Sequence, residues 1–203
     1  EMVTDLNLYL DNYLKQKKRK SLAGTLVGQI KKGQQLLMDH EDKKIVEFSN
    51  MLCGLGAHYI NEFSRATGAT YKTNKQVAMD ELWSVHSYER DYNPIHSHGT
   101  KTLMGISATM WTKVPQQILD LPTAGTSDYS LYNSSGHSDG CLAFSYGQGH
   151  VTDGETLKPA PSFVIRPEVG KLYLFPSWLQ HMVYPFQGKG ERRTVAANLN
   201  CWD

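Results

Sequence analysis

At Gly68 the hydrophobic pattern of this 203-residue chain changes period, and that change limits the folds open to it. Before it, over residues 39–66, Ile45, Val46, Phe48, Met51, Leu52, Leu55, Tyr59, Ile60 and Phe63 recur at three- and four-residue steps, the signature of one helix face. Asp39 or Asp42 is placed to cap the start of that helix and Gly68 to end it. Residues 4–14 read as a second, shorter helix. Beyond Gly68, β-rich segments at residues 81–90, 102–111, 141–146, 162–166, 171–176, 179–184 and 192–201 are separated by Gly, Pro, Asn and Ser. Strands so spaced specify a sandwich, jelly roll or barrel rather than βαβ units. Residues 113–161 depart from the pattern, rich in Gly, Ser, Pro and Tyr, and are expected to include a long loop of the kind that closes over active sites. The length fits a single domain, with a helical part at 1–70 and a β core at 71–203.

Charge narrows the partners. With 21 basic and 20 acidic side chains the formal net charge is +1, so no global field draws the chain to nucleic acid or to an anionic membrane. The run KQKKRK at residues 15–20 reads as a solvated helix end, where cations complement the dipole. Cys53, Cys141 and Cys201 are odd in number, widely spaced and without a C-x-x-C pair, which fits packed thiols in a reducing compartment better than a disulfide framework or a cysteine zinc site. No apolar run approaches the length of a membrane span, and no basic region followed by an apolar stretch opens the chain. The expectation is a soluble cytoplasmic protein whose oligomeric state is open.

Three of the eight histidines carry chemistry. His96 and His98 lie in N-P-I-H-S-H-G, and residues two apart on extended backbone point to one side, so both imidazoles can reach one metal. His181 follows 83 residues beyond His98, just after the strand K-L-Y-L-F-P, and meets the pair only if the strands close into a double sheet. Two near ligands and one remote ligand leave about three positions open on an octahedral iron. Eleven residues later, Arg192 shares a strand face with Thr194, Ala196 and Asn198, where a guanidinium fork beside a hydroxyl makes a receptor for a carboxylate. A dicarboxylate would then have one end on the metal and the other on Arg192. Alternation turns the competing Arg193 outward.

The motifs N-P-x-H-x-H, G-x-L-x-L-F-P-S-W-L-x-H-x-V and E-R-x-[T/S]-x-x-x-N resemble those of the 2-oxoglutarate and iron(II)-dependent oxygenases common in marine bacteria and their phages. The resemblance runs from about residue 80 to the end, with a looser likeness in L-A-G-T-L-V-G-Q-I-K-K. It implies a mainly β, cupin-like double-stranded β-helix with N-terminal helices packed on one sheet. It also implies Fe(II) and 2-oxoglutarate as cofactors, Arg192 and Thr194 on the distal carboxylate, and hydroxylation of a C–H bond with release of succinate and carbon dioxide. The wider superfamily supplies Asp or Glu where His98 stands. Either the site has three histidines, or a carboxylate such as Asp91 or Glu89 is the third ligand.

Other candidates carry plainer readings beside functional ones. Asn93 could touch a co-substrate, or form only the turn before Pro94. Tyr88 could bond a co-substrate oxygen, and Trp178 and Tyr184 could line the pocket or simply pack. His40, His58, His86, His137 and His150 read as surface or hydrogen-bonded residues. A three-histidine cupin enzyme without 2-oxoglutarate, and a non-catalytic binding domain of the same fold, are the rival functions. The substrate, a small molecule or a protein side chain, is not written in the composition.

Overall fold

The computed structural model describes residues 1–25, 28, 30–68, 76–102, 104–122, 138–146 and 162–202. Helix α1 spans Met2–Lys15 and α2 spans Val46–Thr67. The strands are β1 (Gln34–Leu37), β2 (Gln76–Ser87), β3 (Asn93–His96), β4 (Ile106–Lys113), β5 (Leu142–Ser145), β6 (Ser162–Ile165), β7 (Leu172–Pro176), β8 (Gln180–Val183) and β9 (Arg192–Trp202), with a one-turn helix α3 (Gln116–Leu119) after β4. They form two antiparallel sheets, a five-stranded one in the order β1-β2-β9-β4-β7 and a four-stranded one in the order β3-β8-β5-β6. This is the mainly β, double-stranded β-helix arrangement with N-terminal helices that the segment pattern and the motifs anticipate.

Strand β9 explains the layering. Its sequence R-R-T-V-A-A-N-L-N-C-W alternates, so Val195, Ala197, Leu199 and Cys201 join the core beneath the helices, while Arg192, Thr194, Ala196 and Asn198 line a cavity on the other face. Helix α2 lays Phe48, Leu52, Gly56 and Ile60, spaced four apart, along the first face. Gly56 permits the close approach: a Cβ there would stand 2.8 Å from a Leu199 methyl and 3.0 Å from one of Val77. Leu6 and Leu10 of α1 fill the same core, and burying side chains of this size stabilises by about 1.5–3 kcal/mol each. A second core lies between the sheets, built from Trp111, Leu142, Phe144, Ile165 and Phe175.

Some expectations about boundaries change. The caps proposed for α2 fold differently: Asp39 and Asp42 accept from the backbone N–H groups of Glu41 and Lys44 in a preceding turn, and the helix starts at Val46 after Ile45. Gly68 does end it, at φ 67° in the left-handed region. The N-terminal part is not wholly helical, since β1 pairs with β2 from Gln34↔His86 to Leu37↔Trp83. In the basic run, Arg19 donates to the carbonyls of Leu14 and Gln16 at the end of α1. Most of the loop expected in 113–161, with His137 and His150, lies outside the described residues. Among the described residues all three cysteines are free thiols, and no helix is long and apolar enough to cross a membrane.

Candidate metal centre and anion pocket

Sheet register brings the remote histidine to the near ones. His96 ends β3, and β3 pairs with β8 so that His96 stands directly opposite His181. His98 lies in the connection to β4, tied back by its backbone N–H to the Ser177 carbonyl at 2.9 Å. The ring centroids are 4.3 Å apart for His96 and His181, 4.8 Å for His98 and His181, and 5.3 Å for His96 and His98. Their candidate ligand atoms all lie within 4.8 Å of one another. Phe175 and Phe144 pack around His181.

Hydrogen bonds decide which nitrogens face inward. Nδ1 of His96 lies 2.6 Å from the Pro94 carbonyl, and Nδ1 of His181 lies 3.0 Å from the Leu179 carbonyl. A carbonyl only accepts, so both Nδ1 atoms carry the proton and both Nε2 atoms keep a lone pair. The Asn93 amide at 3.2 Å donates to the Nε2 of His96, consistent with that tautomer. For His98, Nδ1 faces Asn198 Oδ1 at 2.9 Å and Ser107 Oγ at 3.0 Å. Burial pushes the rings toward neutrality, to about 4 for His98, helped by the charge of His96, and to about 3 for His181; His96 is lowered by burial as well. Three neutral imidazoles with Nδ1 engaged are the donor set that a divalent cation requires.

No carboxylate joins them among the described residues. Asp91 is buried and accepts backbone N–H bonds from Lys31 (2.8 Å), Gly33 (3.1 Å) and Tyr88 (3.0 Å), so its oxygens are committed elsewhere. Glu89 accepts from the Gly188 N–H at the surface. Neither carboxylate weighed as the alternative third ligand stands at the cluster.

The histidines open into a cavity of about 280 Å³ between the sheets, and Arg192 lines it from the five-stranded side. The Arg192 guanidinium donates to the Gly140 and Tyr184 carbonyls and to Ser87 Oγ, while its Nε has no partner. It has no acidic partner within ion-pair distance among the described residues. The nearby Cys141 supplies no counter-charge, because burial pushes its thiol up to about 11. Burial lowers Arg192 to about 10, with the charge of the buried Asp91 acting the other way, so a cation stands at neutral pH without a carboxylate in direct contact among the described residues. Thr194, Ala196 and Asn198 follow it along the cavity wall. Arg193 points to the opposite face, bound to Glu191 at 2.7 Å and Asp11 at 2.7 Å.

Other candidates divide. Asn93 begins β3 rather than making only a turn, and its side chain reaches the cavity. Tyr88 does not line the cavity; it follows the last residue of β2 and feels the charges of Glu191, Arg193 and Asp11, with burial raising its hydroxyl. Trp178 is 65% exposed and borders a smaller apolar groove with Tyr59, Phe63 and Met104, and Tyr184 packs beside Phe186. Sequence reasoning missed the N-terminal wall of the cavity, formed by Leu22, Thr25, Ile30 and Gln35. It also missed Glu81, Trp83, Val85 and Ser87, whose alternation along E-L-W-S-V-H-S could have shown their shared face.

A double-stranded β-helix whose cavity joins a histidine cluster to a buried arginine defines a class of metal-dependent oxygenases. The family model described as "Putative 2OG-Fe(II) oxygenase" matches residues 81–198, more than half of the chain, and the chain belongs to that family. No curated protein is a significant sequence match. Among solved structures, a Pseudomonas putida prolyl-4-hydroxylase is similar at 12% identity and TM-score 0.56, over 98% of this chain and 85% of that one. The non-haem α-ketoglutarate-dependent carbocyclase SnoK of nogalamycin biosynthesis is similar at 11% and 0.60, over 97% and 74%. The epimerase SnoN of the same biosynthesis is similar at 11% and 0.53, over 98% and 73%. At these identities the likeness is one of fold.

Proposed function

We propose that the chain is a 2-oxoglutarate- and Fe(II)-dependent dioxygenase of the marine bacterial and phage type, built as one domain and working in the cytoplasm. In this reading His96, His98 and His181 hold the iron through Nε2, and Arg192 with Thr194 binds the distal carboxylate of 2-oxoglutarate. The observation that carries it is the buried Arg192 guanidinium, with no carboxylate in ion-pair contact among the described residues, in the cavity that the histidines share. Iron with 2-oxoglutarate would supply oxidative decarboxylation with dioxygen as oxidant, one oxygen atom going to succinate, formed with carbon dioxide, and the other to hydroxylation of an unactivated C–H bond.

The protein's own residues then have separable tasks. Backbone carbonyls of Pro94 and Leu179 orient two of the rings. Arg192, steadied by Gly140, Tyr184 and Ser87, neutralises a carboxylate and fixes its distance from the metal ligands. Trp83, Phe175 and Val183 give the cavity apolar walls that exclude water, and Leu22, Thr25 and Ile30 close its N-terminal side, where a small molecule or a protein side chain would enter.

Arg192→Ala tests the reading. Anaerobic titration of the Fe(II)-loaded protein with 2-oxoglutarate should show a metal-to-ligand charge-transfer band for the wild type. The variant should bind at least about 100-fold more weakly, the scale of a lost charge-assisted pair. Metal binding by the variant should persist. Full turnover of a substrate without added 2-oxoglutarate would instead favour the three-histidine cupin reading, and no band with no succinate formed in air would favour a binding domain.

A further inference from the structure

Two of the three rings have their tautomer set by backbone carbonyls, which no side-chain substitution removes. His98 is different. Its Nδ1 meets a side-chain amide oxygen, Asn198 Oδ1, at 2.9 Å and a hydroxyl, Ser107 Oγ, at 3.0 Å. A hydroxyl can donate or accept, so it leaves the tautomer open. The amide does not: with its oxygen toward the ring, Nδ1 must carry the proton and Nε2 is free for a cation. With its nitrogen there the ring would take the opposite tautomer and lose that lone pair.

Ser107 bonds the same end of the amide that faces the ring. Ser107 and Asn198 are opposite partners in the β4–β9 register, and Ser107 Oγ lies 2.8 Å from Asn198 Oδ1, donating to it. The amide oxygen thus collects one proton from Ser107 and one from His98 in a closed triangle that is buried on both strands. Trp83 packs edge-on against the His98 ring at 5.4 Å and limits its rotation.

Resting on the functional reading above, we infer that Asn198 is a positioning residue that makes His98 a competent metal ligand, with Ser107 bonded to the same amide oxygen. It supplies by hydrogen bonding what a directly ligating carboxylate would need no partner for. A neutral acceptor at this point also keeps the donor set uncharged.

Co(II) titration of the metal-free protein, with the ring ¹⁵N shifts of His98 as a second readout, tests the inference. Wild-type protein should bind one Co(II), and its metal-free His98 should show a protonated Nδ1. Asn198→Ala should weaken Co(II) about 10–100-fold, the range for lost outer-sphere partners. Asn198→Asp, which keeps the acceptor, should bind at pH 8 at least as tightly as wild type. An Asn198 with a merely structural role would leave all three affinities equal, and that result overturns the inference. A protonated Nε2 on His98 in the wild type overturns it without any variant. Failure of the wild type itself to bind Co(II) overturns the metal-site reading, and this inference with it.

Discussion

Adjacent arginines on β9 have opposite fates because a strand alternates its faces. Arg192 is buried against carbonyls and a hydroxyl beside the cavity, whereas Arg193 is buried in an ion-pair group with Glu191 and Asp11. The second arrangement is structural, joining α1 to the end of β9. Removing Arg193 would leave the half-buried Glu191 with His86 but fewer donors, a change that costs at most the roughly 3–5 kcal/mol of a broken buried pair. Arg193→Ala should therefore lower Tm by up to roughly 20 °C, while 2-oxoglutarate affinity stays within about twofold. Calorimetry with a parallel binding titration checks both halves, and a large loss of binding without a loss of stability would reverse the roles given to the two residues. This assignment was legible in the sequence, as was the shared direction of His96 and His98, because period-two geometry is local. The bonding of the Asn198 amide was not, since it involves Ser107 from another strand. Nor was the commitment of Asp91, whose partners Lys31 and Gly33 lie 60 and 58 residues away.

At the scale of elements, Asp91 holds the segment before β1 against the turn after β2. Its three backbone N–H bonds are reinforced by close approach: a Cβ on Gly33 would lie 1.7 Å from the His86 carbonyl oxygen, and one on Gly28 would lie 2.2 Å from that of Tyr92. That clasp sets the position of the N-terminal cavity wall. The seven β segments after residue 80 were legible because each is a short β-rich run bounded by Gly, Pro, Asn or Ser. Strand β1 was not, because Gln34–Leu37 becomes a strand only by pairing with β2. Asp91→Ala should leave three part-buried N–H donors short of an acceptor, destabilising by about 1–3 kcal/mol, while Co(II) still binds with one-to-one stoichiometry. Urea denaturation and metal titration check this, and loss of the metal at full stability would return Asp91 to the ligand set.

For the whole molecule, one sheet serves two purposes: its inner face lines the cavity and its outer face carries the helices. The residues at the edge between them link α1, β2 and β9 through Glu191, which bonds His86 Nδ1 at 2.6 Å and Arg193 at 2.7 Å. Burial works against the charge of Glu191, yet the hydrogen bonds from His86 and Arg193, with the charge of Arg193, hold its carboxyl down to about 2. An unfolded chain takes up that proton near 4.5, so the folded state gains stability that is fully present above about 4.5. It is lost as pH falls toward 2, because the unfolded chain then binds a proton that the folded chain refuses. The full shift corresponds to about 3 kcal/mol, and solvent around the half-buried Glu191 screens it to less. Asp11, lowered by Arg193 and Lys113 against a burial effect of opposite sign, adds in the same direction. In urea titrations at pH 5 and pH 3, Glu191→Gln should be less stable than wild type at pH 5, and the gap should narrow by about 1–2 kcal/mol at pH 3. A gap that stays constant across that window would mean that Glu191 does not anchor α1 through its charge, and that the packing of Leu6 and Leu10 with the polar contacts of Asn7 and Asp11 keeps the helix on the sheet.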